Sequence, residues 1–393
     1  SLSFQMGAHN SHSKKEDFPN LNNDQINALL NNLKKHTTTH TFSAADVSTI
    51  LPYWGEFAKV AFENLARKEG SKKDRLPFSL LVQQANLLEG IASEQADGLT
   101  NLFGDKWREA LVACSRHLLK LSSEDAGALL SILRTDKSSN LTNLLTANRL
   151  AAELVHLPFK ELLESESKPP MAKLNGNTAI LSRASQVVLR AHIPVEFRHT
   201  WQLLFSSNEH GSSFAQLTHQ VDGQGPCIGV VRTTKNRVFG CYASHGFHIG
   251  PTYLGDTLTF LFSIVPEIRV FEPTGFNNKY CYLNIQQETL PNGLGVGGSG
   301  VNWPFFISEE FGKGMATPHS SSFEKCDLAG ETIFEIDTLE IWRVGPPPHK
   351  KKERSILDKD PQAQALLEIA GKQMHSEGFR DAKPILDDDD DEE

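Results

Sequence analysis

Two adjacent prolines, Pro169-Pro170, divide this chain into stretches whose apolar residues repeat with different periods. A proline pair cannot continue a helix, and the 166–177 segment around it turns polar toward Asn175-Gly176, so it reads as a linker. From 20 to 165 the apolar residues recur every three or four positions, as in Ile26, Leu29, Leu30 and Leu33, or Phe57, Val60, Ala61, Phe62 and Leu65. Further helical windows cover 80–88, 107–121, 126–133 and 141–157, and Asp24 stands where a cap for the first helix belongs. From 178 to 345 the texture changes to strand-like runs at 200–206, 227–233, 238–243, 259–264, 268–271, 280–283, 305–308 and 339–344. Glycine, asparagine and proline punctuate them about every ten residues, the pattern of sheets stacked as a sandwich. Helical spacing survives there only at 185–189 and around 213–218. The predicted fold class is α+β: a helical domain, then a mainly β domain.

Helix, short polar loop, helix is also the layout of the calcium-binding EF-hand, but the ligands argue against a working site. The 68–79 stretch places Lys72-Lys73 where a hard cation wants oxygens, and no D-x-[DN]-x-[DN]-G occurs in the chain. The expected domain is a degenerate, EF-hand-like bundle without metal.

A length of 393 residues suits two or three domains that bury their own cores. Five cysteines, Cys114, Cys227, Cys241, Cys281 and Cys326, with no C-x-x-C pair, exclude a disulfide scaffold and fit free thiols in a reducing compartment. No apolar run approaches the roughly 18 residues of a membrane-spanning helix. The formal net charge is -9, and setting aside the seven consecutive acids 387–393 leaves -2 for the rest. A near-neutral body lacks the basic field that draws nucleic acid, so no nucleic-acid partner is expected.

Both ends carry signals. Ser1–Gln5 precede the first methionine and read as a cloning remnant; Met6-Gly7-Ala8-His9-Asn10-Ser11 then matches the M-G-x-x-x-[ST] pattern for N-myristoylation of Gly7. Residues 6–19 are expected to be a flexible lipidation segment. One fatty chain attaches reversibly, and Lys14-Lys15, offset by Glu16-Asp17, is a weak second signal. At the other end, 346–354 is a Pro/Lys linker and 355–375 reads as a helix. Ser355 with Asp358 forms a capping box, Asp360-Pro361 a second start, and Gly371 a stop. Ile356, Leu357, Ala363, Leu366, Leu367, Ala370 and Met374 give it an apolar stripe, which either docks back on its own chain or lies in a partner's groove. Residues 376–393 form an acidic tail that should stay solvated.

Catalytic patterns are sparse. Gly293-Leu294-Gly295-Val296-Gly297-Gly298 contains G-x-G-x-x-G, but Trp303-Pro304 and a strand-like run follow where a phosphate-binding helix should start, so a tight glycine loop between strands is expected. There is no G-x-x-x-x-G-K-[ST], G-x-S-x-G or H-E-x-x-H, and no histidine pair at metal spacing; His210 and His248 lie beside glycine-rich turns. Cys227, Cys241 and Cys281 fall in strand-like runs and read as small buried hydrophobes.

The run from Trp201 through His210-Gly211 to Phe214 resembles the opening of a TLDc domain, and further blocks follow in family order. They carry Gly240, Gly255-Asp256, Gly275 with Asn277, Asn284, Gly293 and Gly295, Gly312, and Glu340 with Trp342, over about 165 residues. One departure is Ser320-Ser321-Ser322-Phe323, a block where the family often has cysteine. Together with the Met-Gly start, the helical N-terminal half and the C-terminal amphipath, the chain resembles the N-myristoylated, lysosome-associated branch of the family linked to mTOR signalling. That resemblance implies two antiparallel sheets in a sandwich flanked by short helices. It implies binding to the soluble sector of the vacuolar proton-pumping ATPase, association with mTOR pathway components, and location at the cytosolic face of the lysosomal membrane and in the cytoplasm. It brings no established catalytic residues, cofactor or metal, and it makes the C-terminal helix a partner-docking element. The alternative from another class is a thiol-dependent antioxidant enzyme, which requires a reactive Cys227, Cys241, Cys281 or Cys326.

Overall fold

The computed structural model describes residues 17–37, 39–70, 74–135, 140–163, 171–298, 300 and 302–347. Helices α1 (Asn23–His36), α2 (Ala44–Ile50), α3 (Phe57–Lys68), α4 (Phe78–Leu88), α5 (Ala92–Phe103), α6 (Trp107–Leu118), α7 (Ser123–Thr135), α8 (Leu141–Ala147), α9 (Arg149–Leu154) and α10 (Lys160–Leu163) build the first half. Asn22 rather than Asp24 caps α1: its side-chain oxygen accepts from the Gln25 amide at 2.8 Å, while Gln25 Oε1 accepts from the Asn22 amide at 3.0 Å. This reciprocal pair satisfies two amides that the first turn leaves without partners. The 141–157 window is two helices, because Asn148 ends α8 and then caps α9, accepting from the Ala151 amide at 2.9 Å. The core of this half is anchored by Trp54 and Tyr53, which both donate to the Pro158 carbonyl, at 2.8 and 3.0 Å. Phe103 and Phe159 meet the Trp54 ring edge-on at 5.1 and 5.4 Å, the geometry that ring quadrupoles favour.

Two short strands, β1 (Thr41–Phe42) and β2 (Leu76–Pro77), pair antiparallel and join the loop after α1 to the loop after α3. The second half opens with β3 (Lys173–Asn175), inside the segment read as linker, which pairs in parallel with β4 (Thr200–Ser206). Between them lies α11 (Arg183–His192); α12 (Ser207–His210) and α13 (Phe214–Val221) follow. Then come β5 (Cys227–Thr233), β6 (Val238–Ala243), β7 (Phe260–Val265), β8 (Arg269–Phe271), β9 (Cys281–Asn284), β10 (Gly293–Val296), β11 (Phe305–Ser308), β12 (Lys313–Met315) and β13 (Ile333–Arg343).

The sheet runs β8-β7-β6-β5-β13-β12-β11-β10-β9 and doubles back on itself at β13, which is long enough to serve both layers. Its first residues, 333–335, pair with β12; 340–343 pair with β4, and 336–343 with β5 along the opposite edge. Val231, Phe239, Cys241 and Leu261 of one layer and Leu283, Leu294, Val296, Phe305 and Ile307 of the other share one buried cluster, with Phe239 and Phe305 edge-to-face at 6.1 Å. The outer face of the first layer, with Ile228, Val230, Tyr242, Phe260 and Trp342, is covered by Leu189 and Ile193. Ala184, Val187 and Val188 of α11 belong instead to the helical core, so this helix is buried on two sides. The fold is α+β, a helical half and a β-sandwich.

The G-x-G-x-x-G segment is not a loop. Gly293–Val296 is the strand β10, bonded on both edges to β9 and β11. A side chain at Gly295 would enter the rings of Trp303 and Phe306, at 2.6 and 2.8 Å, so its glycines make room for aromatics, not for a phosphate.

Candidate functional site

The residues singled out in the sequence mostly hold the sandwich together. Glu340, fully buried on β13, accepts from Thr178 Oγ1 at 2.8 Å, the Ala179 amide at 2.6 Å and Trp342 Nε1 at 3.0 Å. A buried carboxylate is tolerable only with such donors, and here they pin the stretch before α11 to the centre of the sheet. Trp201 donates to the Phe197 carbonyl at 3.2 Å, and Asn284 to the Tyr282 hydroxyl at 2.9 Å. His210 Nδ1 accepts from the Ser206 amide at 3.0 Å with its ring stacked on Phe205, and Phe214 is buried in the core between the layers. Gly240 lies close against the β5 backbone: a Cβ there would lie 1.9 Å from the Gly229 carbonyl oxygen. Gly211, Gly255 and Gly312 stand at turns, and Asp256 accepts from the Leu258 amide at 2.9 Å in the turn before β7.

One signature block displays a side chain. At the 274–279 turn, Thr274 Oγ1 donates to the Ser321 carbonyl at 2.6 Å, Asn277 Nδ2 to Ser321 Oγ at 3.0 Å, and Ser322 Oγ to Asn277 Oδ1 at 2.9 Å. Gly275 adopts φ +72°, which an L side chain takes with strain. The turn so braced holds Phe276 in solvent at 83% exposure. A rigidly held, exposed aromatic gives large contact area at little entropic cost, the character of an interface anchor. In the sequence, Phe276 is marked only as a bulky aromatic between the glycine and asparagine of a signature turn. Ser321 and Ser322 are the serines that brace it.

The thiols are sealed. Cys114, Cys227, Cys241, Cys281 and Cys326 are free and buried. Burial raises all five pKa values, to about 12 for Cys241 and Cys326 and well above the ordinary thiol range for Cys227 and Cys281. A thiol is nucleophilic as its thiolate, so these environments are the reverse of an activated cysteine.

Charged groups concentrate where the halves meet. Glu153 of α9 pairs with Arg190 and, at 2.7 Å, with Arg198, while Arg198 also donates to the Ala191 and Ile193 carbonyls at 3.1 and 2.9 Å. A half-open cavity of about 280 Å³ lies beside this cluster, lined by Glu89, Glu153, His156 and Arg190 among leucines. His156 Nδ1 is 3.2 Å from Glu89 Oε1, so the cavity's carboxylates are engaged in the protein's own pairs. Among the described residues no three His, Cys, Asp or Glu side chains converge as a metal site, and no helix is long and apolar enough to cross a membrane. Gly7 and the stripe of Ile356, Leu357, Ala363, Leu366, Leu367, Ala370 and Met374 lie outside the described residues.

The β half matches a known family model over residues 174–345, from β3 through the end of β13. Those residues are a TLDc domain. Its relatives include the chicken protein named MTOR-associated protein MEAK7, 43% identical over 212 residues, covering 53% of this chain and 45% of the relative. The human protein of that name is 43% identical over 211 residues, covering 52% of this chain and 46% of the relative. The bovine Oxidation resistance protein 1 is more distant, 28% identical over 188 residues, covering 47% of this chain and 20% of the relative. The chain therefore spans about half the length of the MEAK7 relatives it matches.

Proposed function

We propose that this chain is a non-catalytic adaptor whose TLDc domain docks on the soluble sector of the vacuolar proton-pumping ATPase and supports mTOR signalling. The observation that carries the reading is the 43% identity to chicken and human proteins named as MTOR-associated. Two features support a binding role: a sandwich whose signature residues are committed to scaffolding, and a braced turn that presents Phe276. Myristoyl-Gly7 would bring the chain to the cytosolic face of the lysosomal membrane, with a second population in the cytoplasm. The stripe from Ile356 to Met374 would supply a second contact on the pump, and mTOR pathway components would be the downstream partners. The thiol-enzyme alternative lacks an exposed or acidic thiol to carry it.

The test is capture of the purified soluble sector of the pump by the immobilised full chain, by a chain ending at Pro348, by Phe276→Ala and by Leu366→Asp with Leu367→Asp. Capture by the full chain, reduced in each variant, is the expected result. Equal recovery by the shortened chain removes the C-terminal stripe from the mechanism, and no capture by the full chain refutes the reading.

A further inference from the structure

The helical half contains two helix–loop–helix units, α1–α2 and α3–α4, whose loops are joined through β1 and β2 with Phe42 opposite Leu76. A calcium-binding loop of this layout supplies oxygens from positions 1, 3, 5, 7 (through its carbonyl), 9 and 12 of twelve residues, with glycine at position 6 for a sharp turn. Setting Asp46, the acid at the start of α2, at position 12 aligns residues 35–46. His40 then falls at position 6, and it is one of few non-glycine residues with positive φ, +21°. Thr37, Thr39 and the Thr41 carbonyl fall at positions 3, 5 and 7. The loop thus carries oxygen-bearing residues at positions 3, 5 and 7 and an acid at 12.

Its chemistry is not that of a calcium site. Asp46 is the one carboxylate in 35–46, position 1 is Lys35, and the remaining ligand positions are neutral threonine and serine hydroxyls. Lys35 Nζ turns out to Asn32 Oδ1 at 2.9 Å. The second loop, placed by the Phe42–Leu76 pairing, has Lys73 at position 5, Pro77 at 9 and Leu80 at 12. Six to eight hard oxygens, several of them charged, cannot be assembled from either set.

A different cation lies in the first loop. Arg75, at position 7 of the second loop, donates from Nε to Thr41 Oγ1 at 2.9 Å. Its Nη2 reaches the Thr41 carbonyl and Asp46 Oδ2, each at 2.9 Å, and the Thr37 and Thr39 hydroxyls at 3.3 and 3.4 Å. The three hydroxyls are themselves linked, Thr37 to Thr39 at 3.2 Å and Thr39 to Thr41 at 3.0 Å. These contacts use loop positions 3, 5, 7 and 12, the ones that would face an ion. A guanidinium is a planar fork of donors that cannot lose its charge at neutral pH, and it suits neutral hydroxyl and carbonyl acceptors with one carboxylate.

We infer that Arg75 is the resident cation of the first loop, supplied in cis by the second, so that this helix–loop–helix pair closes without calcium. Asp46 then serves both loops: it completes the capping box of α2 with Ser43 and it receives Arg75. Burial disfavours its ionised form, yet the Ser43 donors and the Arg75 charge hold its carboxyl below the usual carboxylate range. Removing Arg75 leaves a small polar cradle fitted to a free guanidinium-type cation.

The experiment compares thermal unfolding of the full chain, wild type, Arg75→Ala and Arg75→Lys, in EDTA, in millimolar calcium chloride and in millimolar methylguanidinium. The wild type is expected to unfold at the same temperature in all three solutions. Arg75→Ala should lose about 2–4 °C, recover part of it in methylguanidinium and none in calcium, with Arg75→Lys between. Should Arg75→Ala not fold, hydrogen exchange of the Phe42 and Leu76 amides in Arg75→Lys replaces it, and faster exchange than in the wild type is expected. Calcium stabilisation of the wild type reversed by EDTA overturns the inference. So do an Arg75→Ala midpoint equal to wild type, no recovery by methylguanidinium, or unchanged exchange in Arg75→Lys.

Discussion

His192 ends α11 with Nδ1 donating to the Val188 carbonyl at 2.8 Å and its ring tilted over Phe260 at 5.9 Å. Burial pushes its pKa down to about 4 despite the Val188 bond, and the charges of Arg149 and Arg198 add to the effect. An unfolded histidine titrates near 6.5. Between those values the unfolded chain binds the proton and the folded chain does not, so neutral His192 contributes stability that is complete above about pH 6.5 and is lost as pH falls toward 4. The gap corresponds to about 3 kcal/mol, of which about 2 kcal/mol should disappear between pH 7 and pH 5. Urea unfolding followed by tryptophan fluorescence at a series of pH values reads this directly, since Trp54, Trp201, Trp303 and Trp342 are all buried. His192→Gln should flatten the wild-type slope in that window by about the same 2 kcal/mol and by about 1 kcal/mol more between pH 5 and 4, while well below pH 4, where the folded imidazole is protonated too, the two slopes should run together. If the variant keeps the wild-type slope, the imidazole is not excluded from protonation by its surroundings and the reasoning is wrong.

Glu340→Ala strips the acceptor from three donors and should cost about 3–5 kcal/mol, with Glu340→Gln costing less, measured by chemical denaturation. Gly240→Ala forces β5 and β6 apart and should cost about 1–3 kcal/mol; an unchanged midpoint would mean the two strands are not in the close contact described. An aromatic disulfide reagent should modify the native chain slowly at all five cysteines and rapidly only after unfolding, whereas one fast-reacting thiol in the native state would revive the antioxidant-enzyme alternative.

The sandwich was legible because its strands are buried and rich in β-branched and aromatic residues: Thr200–Ser206, Cys227–Thr233, Val238–Ala243 and Phe305–Ser308 form strands over the lengths the sequence suggests. The elements that the sequence does not announce are written in small or polar residues. Gly293–Val296 is half glycine, and its strand character comes from neighbours on both edges rather than from its own side chains. Helix α5 begins with Ala-Ser-Glu-Gln-Ala-Asp and buries Gln95 and Gly98, the latter because a Cβ there would meet Leu88 at 2.7 Å. Residues Lys173–Asn175 looked like linker, and only the parallel pairing with β4 makes them a strand. Of the site, the turn glycines and Asn277 could be picked out, whereas the exposure of Phe276 depends on Ser321 and Ser322, distant in sequence. Arg75 was hidden for the same reason, because its acceptors lie in another loop.

The long strand β13 has a consequence for how the protein is made. Gln202 of β4 and Cys227 of β5 both wait for Arg343, at the far end of the domain, and β12 depends on the opening residues of the same strand. On the ribosome, neither layer can close until this last segment has emerged, so most of the domain spends its synthesis with sheet edges exposed. Nascent-chain quality control then becomes a second stage, beside the finished molecule's stability, at which substitutions in β13 are felt.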